Sequence, residues 1–185
     1  MPKPPLAILN FYGAQNFGDP FWAQPLAELV GRVPRVSQSD ITRLHKDVTT
    51  YATSATPEGS DPKADAPSEN IRQAFYLNLL ADGRLIQELW PHTPKDLDRI
   101  DPFLNVNKAW PPVAIVHGTN DTTVPISLSR ALETKLISSG VENEFIVVPG
   151  EAHNFAARLV KGSETWFLQR KGFEFLEKVV KRSYT

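Results

Sequence analysis

Three runs along the chain are apolar without regular alternation and too short for helices. Leu6 to Tyr12, Val113 to His117 and Glu144 to Val148 are each bounded by Gly or Pro. That is the pattern of strands buried on both faces of a parallel sheet. Between the second and third runs, "PISLSRALETKLISSG" sets Leu128, Leu132 and Leu136 at i, i+4 and i+8, and Gly140 stands where a helix would be capped. The predicted strand, helix, strand unit is the kind that joins parallel strands by a right-handed crossover. After the third run, Ser163 opens "ETWFLQRKGFEFLEKVVKRSY", whose Trp166, Phe167, Phe173, Leu176 and Val180 predict a helix packed on the sheet.

The segment between the first and second strands, Asp19 to Ala109, carries no strand pattern. Thr49 to Pro67 is rich in Ser, Thr, Pro, Ala and Asp with little to bury, and reads as a mobile loop. Ser68 then suits the N-cap of "ENIRQAFYLNLLADG", with Ile71, Phe75 and Leu79 on one face and Gly83 just past its end. A short helix over Leu85 to Trp90 and a turn begun by Thr93 and Pro94 follow. Residues 19–109 thus have the composition of a helical cap inserted into an α/β domain, with no internal repeat.

Composition fits one globular domain: 185 residues, 41% apolar and 22% charged. Lys and Arg number 20 against 21 Asp and Glu, so the net charge of -1 supplies no field for drawing in nucleic acid or anionic membrane. The chain has no cysteine, which excludes disulfides, thiolate metal sites and a cysteine nucleophile. "MPKPPLAILNFYG" does not read as a signal peptide, and its apolar run falls far short of the roughly 20 residues of a membrane span. The cytoplasm is the default location.

Chemistry concentrates after the second and third strands. "VAIVHGTNDTTVP" delivers Asp121 just beyond a strand end, and "FIVVPGEAHNF" delivers His153 in the same way. In open parallel sheets, reacting groups gather beyond the carboxyl ends of the strands, so the two are expected to meet. A carboxylate that accepts the Nδ1 proton of an imidazole fixes its tautomer and stabilises the imidazolium, leaving Nε2 to take a proton from a nucleophile. Gly118 and Gly150 let the chain turn ahead of each residue, and Pro125 suits the start of the next helix.

Other candidates are weaker. Taken singly, an aspartate in "GTND" is as well explained as a turn-former. His117 ends a strand and is expected to pack or hydrogen-bond locally, while His45 and His92 read as surface residues of the cap. His117, Asp121 and His153 have the ligand types of a zinc site, but no metal is expected. Tyr12, Gly13, Phe11, Phe17, Phe21 and Trp22 are suited to lining an acyl-binding pocket or equally to packing. Arg158, Lys161, Arg170, Lys171, Lys178, Lys181 and Arg182 cluster near the C-terminus, but Glu164, Glu174 and Glu177 interleave with them as on a solvated helix face.

"HGTNDTTVP" followed by "GEAHNF" resembles the acid and base segments of an α/β-hydrolase, in its esterase, lipase and prolyl-oligopeptidase-like branches. In that superfamily the chain order is nucleophile, acid, histidine. The resemblance implies that Asp121 is the triad acid after the seventh strand, that His153 is the base after the eighth, and that Leu6 to Tyr12 corresponds to the sixth. It covers essentially the whole chain but only the C-terminal half of the superfamily's pattern. The expected fold is therefore α/β, a partial α/β-hydrolase with the last three parallel strands and a helical cap.

None of the ten glycines opens a Gly-x-Ser-x-Gly nucleophile elbow, and no His-Gly-Gly oxyanion loop is present. The implied activity is hydrolysis of an ester, lactone or peptide-like bond of a small-molecule or peptide-like acyl substrate, without a cofactor and without nucleic acid or membrane as partner. The nucleophile would come from outside these residues, and a second chain or a preceding segment would cover the strand at 6–12, which would otherwise be an apolar edge. Two further readings stand beside it: an inactive remnant serving as a binding or scaffold domain, and one half of a split enzyme.

Overall fold

The computed structural model describes residues 4–46 and 67–184, so that the predicted loop up to residue 66 lies largely outside the described residues. In chain order the principal elements are β1 (Ile8–Phe11), α1 (Gln38–Lys46), α2 (Pro67–Ala81), α3 (Leu85–Leu89), α4 (Pro102–Asn105), β2 (Val113–Gly118), α5 (Ile126–Ser138), β3 (Asn143–Val148) and α6 (Glu164–Ser183). They form two compact units: one joins the first 16 residues to Asp98–Thr185, and the other is Phe17–Leu97.

The first unit holds a three-stranded parallel sheet in the order β1-β2-β3. All three predicted strands are present, with ends that differ by no more than two residues. Because side chains alternate across a strand, β2 feeds two cores. Ala114 and Val116 join Ile146, Val148, Phe155, Phe175 and Val179 on one face, while Val113 and Ile115 join Leu132, Leu136, Val141 and Val106 on the other. Every residue of β2 is buried, which accounts for its unbroken apolar run. The leucines of α5 pack as their spacing predicts, and Gly140, at φ +71°, ends the helix while Val141 N–H donates to Leu136 O at 3.0 Å. Phe103 and Trp110 pack against this second core.

The packing face of α6 differs from the predicted one. Phe167, Phe173 and Val180 are exposed at 58%, 50% and 36%, and the helix buries Gly172, Phe175 and Val179 instead, with Leu168 against the same core. These four positions repeat at i, i+4, i+7 and i+11, the true helical stripe, whereas the larger aromatics drew attention to a neighbouring one. Gly172 lets the helix settle close to the sheet: a Cβ there would meet Leu9 Cδ1 at 2.7 Å and Val116 Cγ2 at 2.9 Å. At the far end, Arg182 forks onto the Glu142 carboxylate at 2.6 and 3.2 Å, ahead of β3.

In the second unit, α2 starts at Pro67, one residue before the predicted cap, and α3 ends at Leu89 with Trp90 as its C-cap. Leu79, Leu80, Ala81, Leu85 and Ile86 are buried there, and Trp22 stacks edge-on with Phe17 and Phe21. Gly83, at φ +66°, turns the chain where a Cβ would strike the backbone of Gln24 and Pro25. Asn78 holds the 34–36 segment, accepting from Val36 N–H at 3.0 Å and donating to Pro34 O at 3.2 Å. Helix α1 escaped the apolar pattern because none of its residues is buried. Its signal was polar: Ser37 Oγ accepts the Asp40 N–H at 3.1 Å and donates to the Asp40 carboxylate at 2.7 Å, a Ser-x-x-Asp start.

A Gly172→Ala substitution should lower stability in chemical denaturation. Overpacking costs typically about 1–3 kcal/mol, which matches or exceeds the roughly 1 kcal/mol by which helix propensity favours alanine; a stabilised variant would contradict the close helix-to-sheet contact.

Candidate active site

Parallel pairing decides where the site can be. Gly118 at the end of β2 is in register with Val148 at the end of β3, so the loops that follow them leave the same edge of the sheet. They are then sewn together: Thr119 N–H donates to Val148 O at 3.0 Å, Asn120 N–H to Glu151 O at 2.9 Å, and Gly150 N–H to Thr119 Oγ1 at 2.8 Å. Gly118 is the condition for this approach, since a Cβ on it would overlap the Glu151 carbonyl. Glu151 is held in turn by Thr165, whose hydroxyl donates to its carboxylate at 2.6 Å.

The loops bring Asp121 and His153 together, with His153 Nδ1 at 2.7 Å from Asp121 Oδ2. The carboxylate side chain is fully buried and the imidazole side chain is 25% exposed. Asp121 Oδ1 accepts the Thr123 and Val124 N–H groups at 3.0 and 2.8 Å, and His117 Nε2 stands 3.1 Å from Oδ2. The turn-forming role and the pairing role thus fall on the two oxygens of one carboxylate. Burial works to raise the pKa of this carboxyl, but hydrogen bonds from His117, His153 and the Val124 N–H, with the nearby histidine charge, outweigh it and hold the group at about 2.

Since Asp121 accepts at Nδ1, the His153 proton there is fixed and Nε2 is left without a partner among the described residues. Tyr12 packs against the His153 ring with centroids 4.8 Å apart. It follows β1, is buried, and has φ 38°, in the left-handed region that few side chains adopt. An ionised acid, an oriented imidazole and one open nitrogen can together act as a general base and then as a general acid.

The remaining candidates fall elsewhere. His117 is wholly buried beside the pair, and its contact with Asp121 was not read from the sequence. The signal was its place in an otherwise apolar buried strand, where a polar side chain has to find partners. Phe17, Phe21 and Trp22 stack on one another, so only Tyr12 and Phe11 of that aromatic group join the strand unit's core. His92 is exposed, and His45 has Nε2 at 3.2 Å from Glu88 Oε1. Among the described residues no group of three or more His, Cys, Asp or Glu side chains is arranged to hold a metal ion, and no helix is long and apolar enough to cross a membrane.

The depressed Asp121 pKa makes stability depend on pH in a defined direction. A carboxyl that titrates near 3.8 when unfolded and near 2 when folded contributes stability that is fully present above about pH 4 and is lost as pH falls toward about 2. Asp121→Asn removes that contribution, so the stability gap between wild type and variant should narrow as denaturation is followed from about pH 5 down to about pH 2. A constant gap would contradict the hydrogen-bonded carboxylate.

Comparison with known proteins places the chain. The prolyl oligopeptidase family matches residues 75–183, more than half of the chain. A non-reducing polyketide synthase, prhL, of Penicillium brasilianum is 26% identical over 97% of this chain, and another, adrD, of Penicillium rubens is 25% identical over 83%. The chain spans only 8% and 7% of the length of these curated relatives. The crystal structure of a protein of unknown function from Staphylococcus aureus superposes with a TM-score of 0.62 at 19% identity, over 94% of this chain and 56% of that one, a likeness of fold. The sheet of three parallel strands with its helices is a partial α/β-hydrolase fold, and the chain belongs to the prolyl oligopeptidase family.

Proposed function

We propose that this chain supplies the acid and the base of a serine-hydrolase relay, and that the attacking serine and the oxyanion donors come from residues outside the 185. The observation that carries the reading is the 2.7 Å hydrogen bond between His153 Nδ1 and the buried carboxylate of Asp121. In the proposed reaction, His153 Nε2 takes the proton of a serine hydroxyl as its oxygen attacks the substrate carbonyl. The imidazolium, stabilised by Asp121, then gives that proton to the leaving oxygen or nitrogen as the tetrahedral intermediate collapses. Water repeats the cycle on the acyl-serine ester and frees the acid.

The substrate we propose is an acyl chain of the polyketide kind, held in an ester or lactone linkage. Support comes from the polyketide synthases among the relatives, whose similarity runs along nearly the whole of this chain. The Asp121–His153 geometry serves ester and amide bonds alike, because both pass through the same intermediate.

The test compares the 185-residue chain with the complete gene product isolated from its own cells, using a fluorophosphonate probe and p-nitrophenyl butyrate. The product that carries the nucleophile should label and turn over, and His153→Ala should reduce kcat by at least about 1000-fold. An inactive remnant would show neither histidine-dependent labelling nor turnover in either form.

A further inference from the structure

His117 is completely buried, yet every polar atom of its ring is engaged. Nε2 lies 2.8 Å from Val124 O and 3.1 Å from Asp121 Oδ2, and Nδ1 lies 2.7 Å from Ser129 Oγ. A carbonyl oxygen only accepts, so the proton of a neutral ring is on Nε2 and Nδ1 presents a lone pair. Ser129 must then donate its hydroxyl proton to Nδ1.

The same logic continues away from the site. Ser129 Oγ, having given its proton to His117, accepts from Gln15 Nε2 at 3.3 Å; Gln15 Oε1 accepts from Asn10 Nδ2 at 3.2 Å; Asn10 Oδ1 accepts from Gly13 N–H at 2.8 Å. Backbone groups whose roles cannot be exchanged close both ends: the Gly13 N–H as a donor and the Val124 carbonyl as an acceptor. The two side-chain amides are therefore oriented without ambiguity, and every link donates toward the His117 Nε2–H, which points to Val124 O at 2.8 Å with Asp121 Oδ2 beside it at 3.1 Å. The chain of bonds crosses from β1 through α5 to the end of β2, with Gln15, Ser129 and His117 all buried.

We infer that His117 is a positioning residue for the Asp121–His153 pair: its Nε2–H, held in place by the Ser129–Gln15–Asn10 chain and shared between the Val124 carbonyl and Asp121 Oδ2, keeps that carboxylate oxygen facing His153. The inference rests on the proposed function for its catalytic meaning. Backbone donors hold Asp121 Oδ1, and His117 supplies the second constraint, on Oδ2 itself, that stops the carboxyl plane from rotating. With Nδ1 occupied and its ring shut away from solvent, His117 does not exchange protons with a substrate. Its effect passes through the acid to the base, as partners outside the reacting shell orient those inside it.

The experiment is nitrogen-15 NMR of histidine-labelled 185-residue protein, which reads the tautomer of each ring. Wild type should show His117 as the Nε2–H form and His153 as the Nδ1–H form with a low-field proton. In His117→Phe, which keeps a ring but no donor, the low-field His153 proton should be lost and the ring should populate both tautomers, while the amides of Thr119 and Asn120 keep their protection from exchange. His117→Gln, which places an N–H donor near the former Nε2, should restore the signal. Finding His117 in wild type as the Nδ1–H or doubly protonated form overturns the proposal even if the variants do not fold. An unchanged His153 signal in folded His117→Phe overturns it as well. If the tautomers behave as stated but turnover of the complete protein ignores His153, the positioning role stands and the hydrolase reading falls.

Discussion

The arrangement depends on one close approach, of the Gly118 backbone to the Glu151 carbonyl. Side-by-side parallel strands bring two loops to the same edge, but loops that merely start together do not deliver side chains to hydrogen-bonding distance. Here the missing Cβ of Gly118 lets the second loop settle onto the first, and three hydrogen bonds through Thr119, Asn120 and Gly150 then lock them. Only with that lock in place does a buried carboxylate from one loop meet a largely buried imidazole from the other.

The lock also settles an electrostatic problem. A carboxylate with no exposed side-chain surface would ordinarily be pushed toward its neutral form. Two backbone N–H groups from its own turn and two imidazoles turn the balance the other way, so the charge is kept in the interior beside His153. The apolar strands are what allow this concentration of donors. Ala114 to Val116 are packed on both faces, and the polar network is confined to the end of the sheet, where His117 and Asp121 stand a few residues apart.

Much of this was legible in the chain because two strong signals agreed. Runs such as "VAIVHG" bounded by Pro and Gly suit central strands, and the leucine spacing of 128, 132 and 136 ahead of Gly140 suits a helix between them, so the placement of Asp121 and His153 on one edge followed from topology. The face of α6 was less legible, since bulky Phe167 and Phe173 suggested burial while the actual contact runs through Gly172, a residue whose importance lies in having no side chain. Helix α1 was illegible to hydrophobic pattern for the opposite reason: it buries nothing and is announced only by its capping serine. The polar chain behind His117 lay beyond sequence reasoning, because Gln15 and Ser129 are 114 residues apart and only the fold brings them together.

The most direct test of the account is Gly118→Ala, read by the low-field Nδ1 proton of His153 together with far-ultraviolet circular dichroism. The prediction is that the His153 proton signal is lost while the secondary structure remains, since the substitution pushes apart the loops and leaves the strands paired. A folded variant that keeps the signal unchanged would show that the pair forms without the Gly118 contact, and would contradict the account.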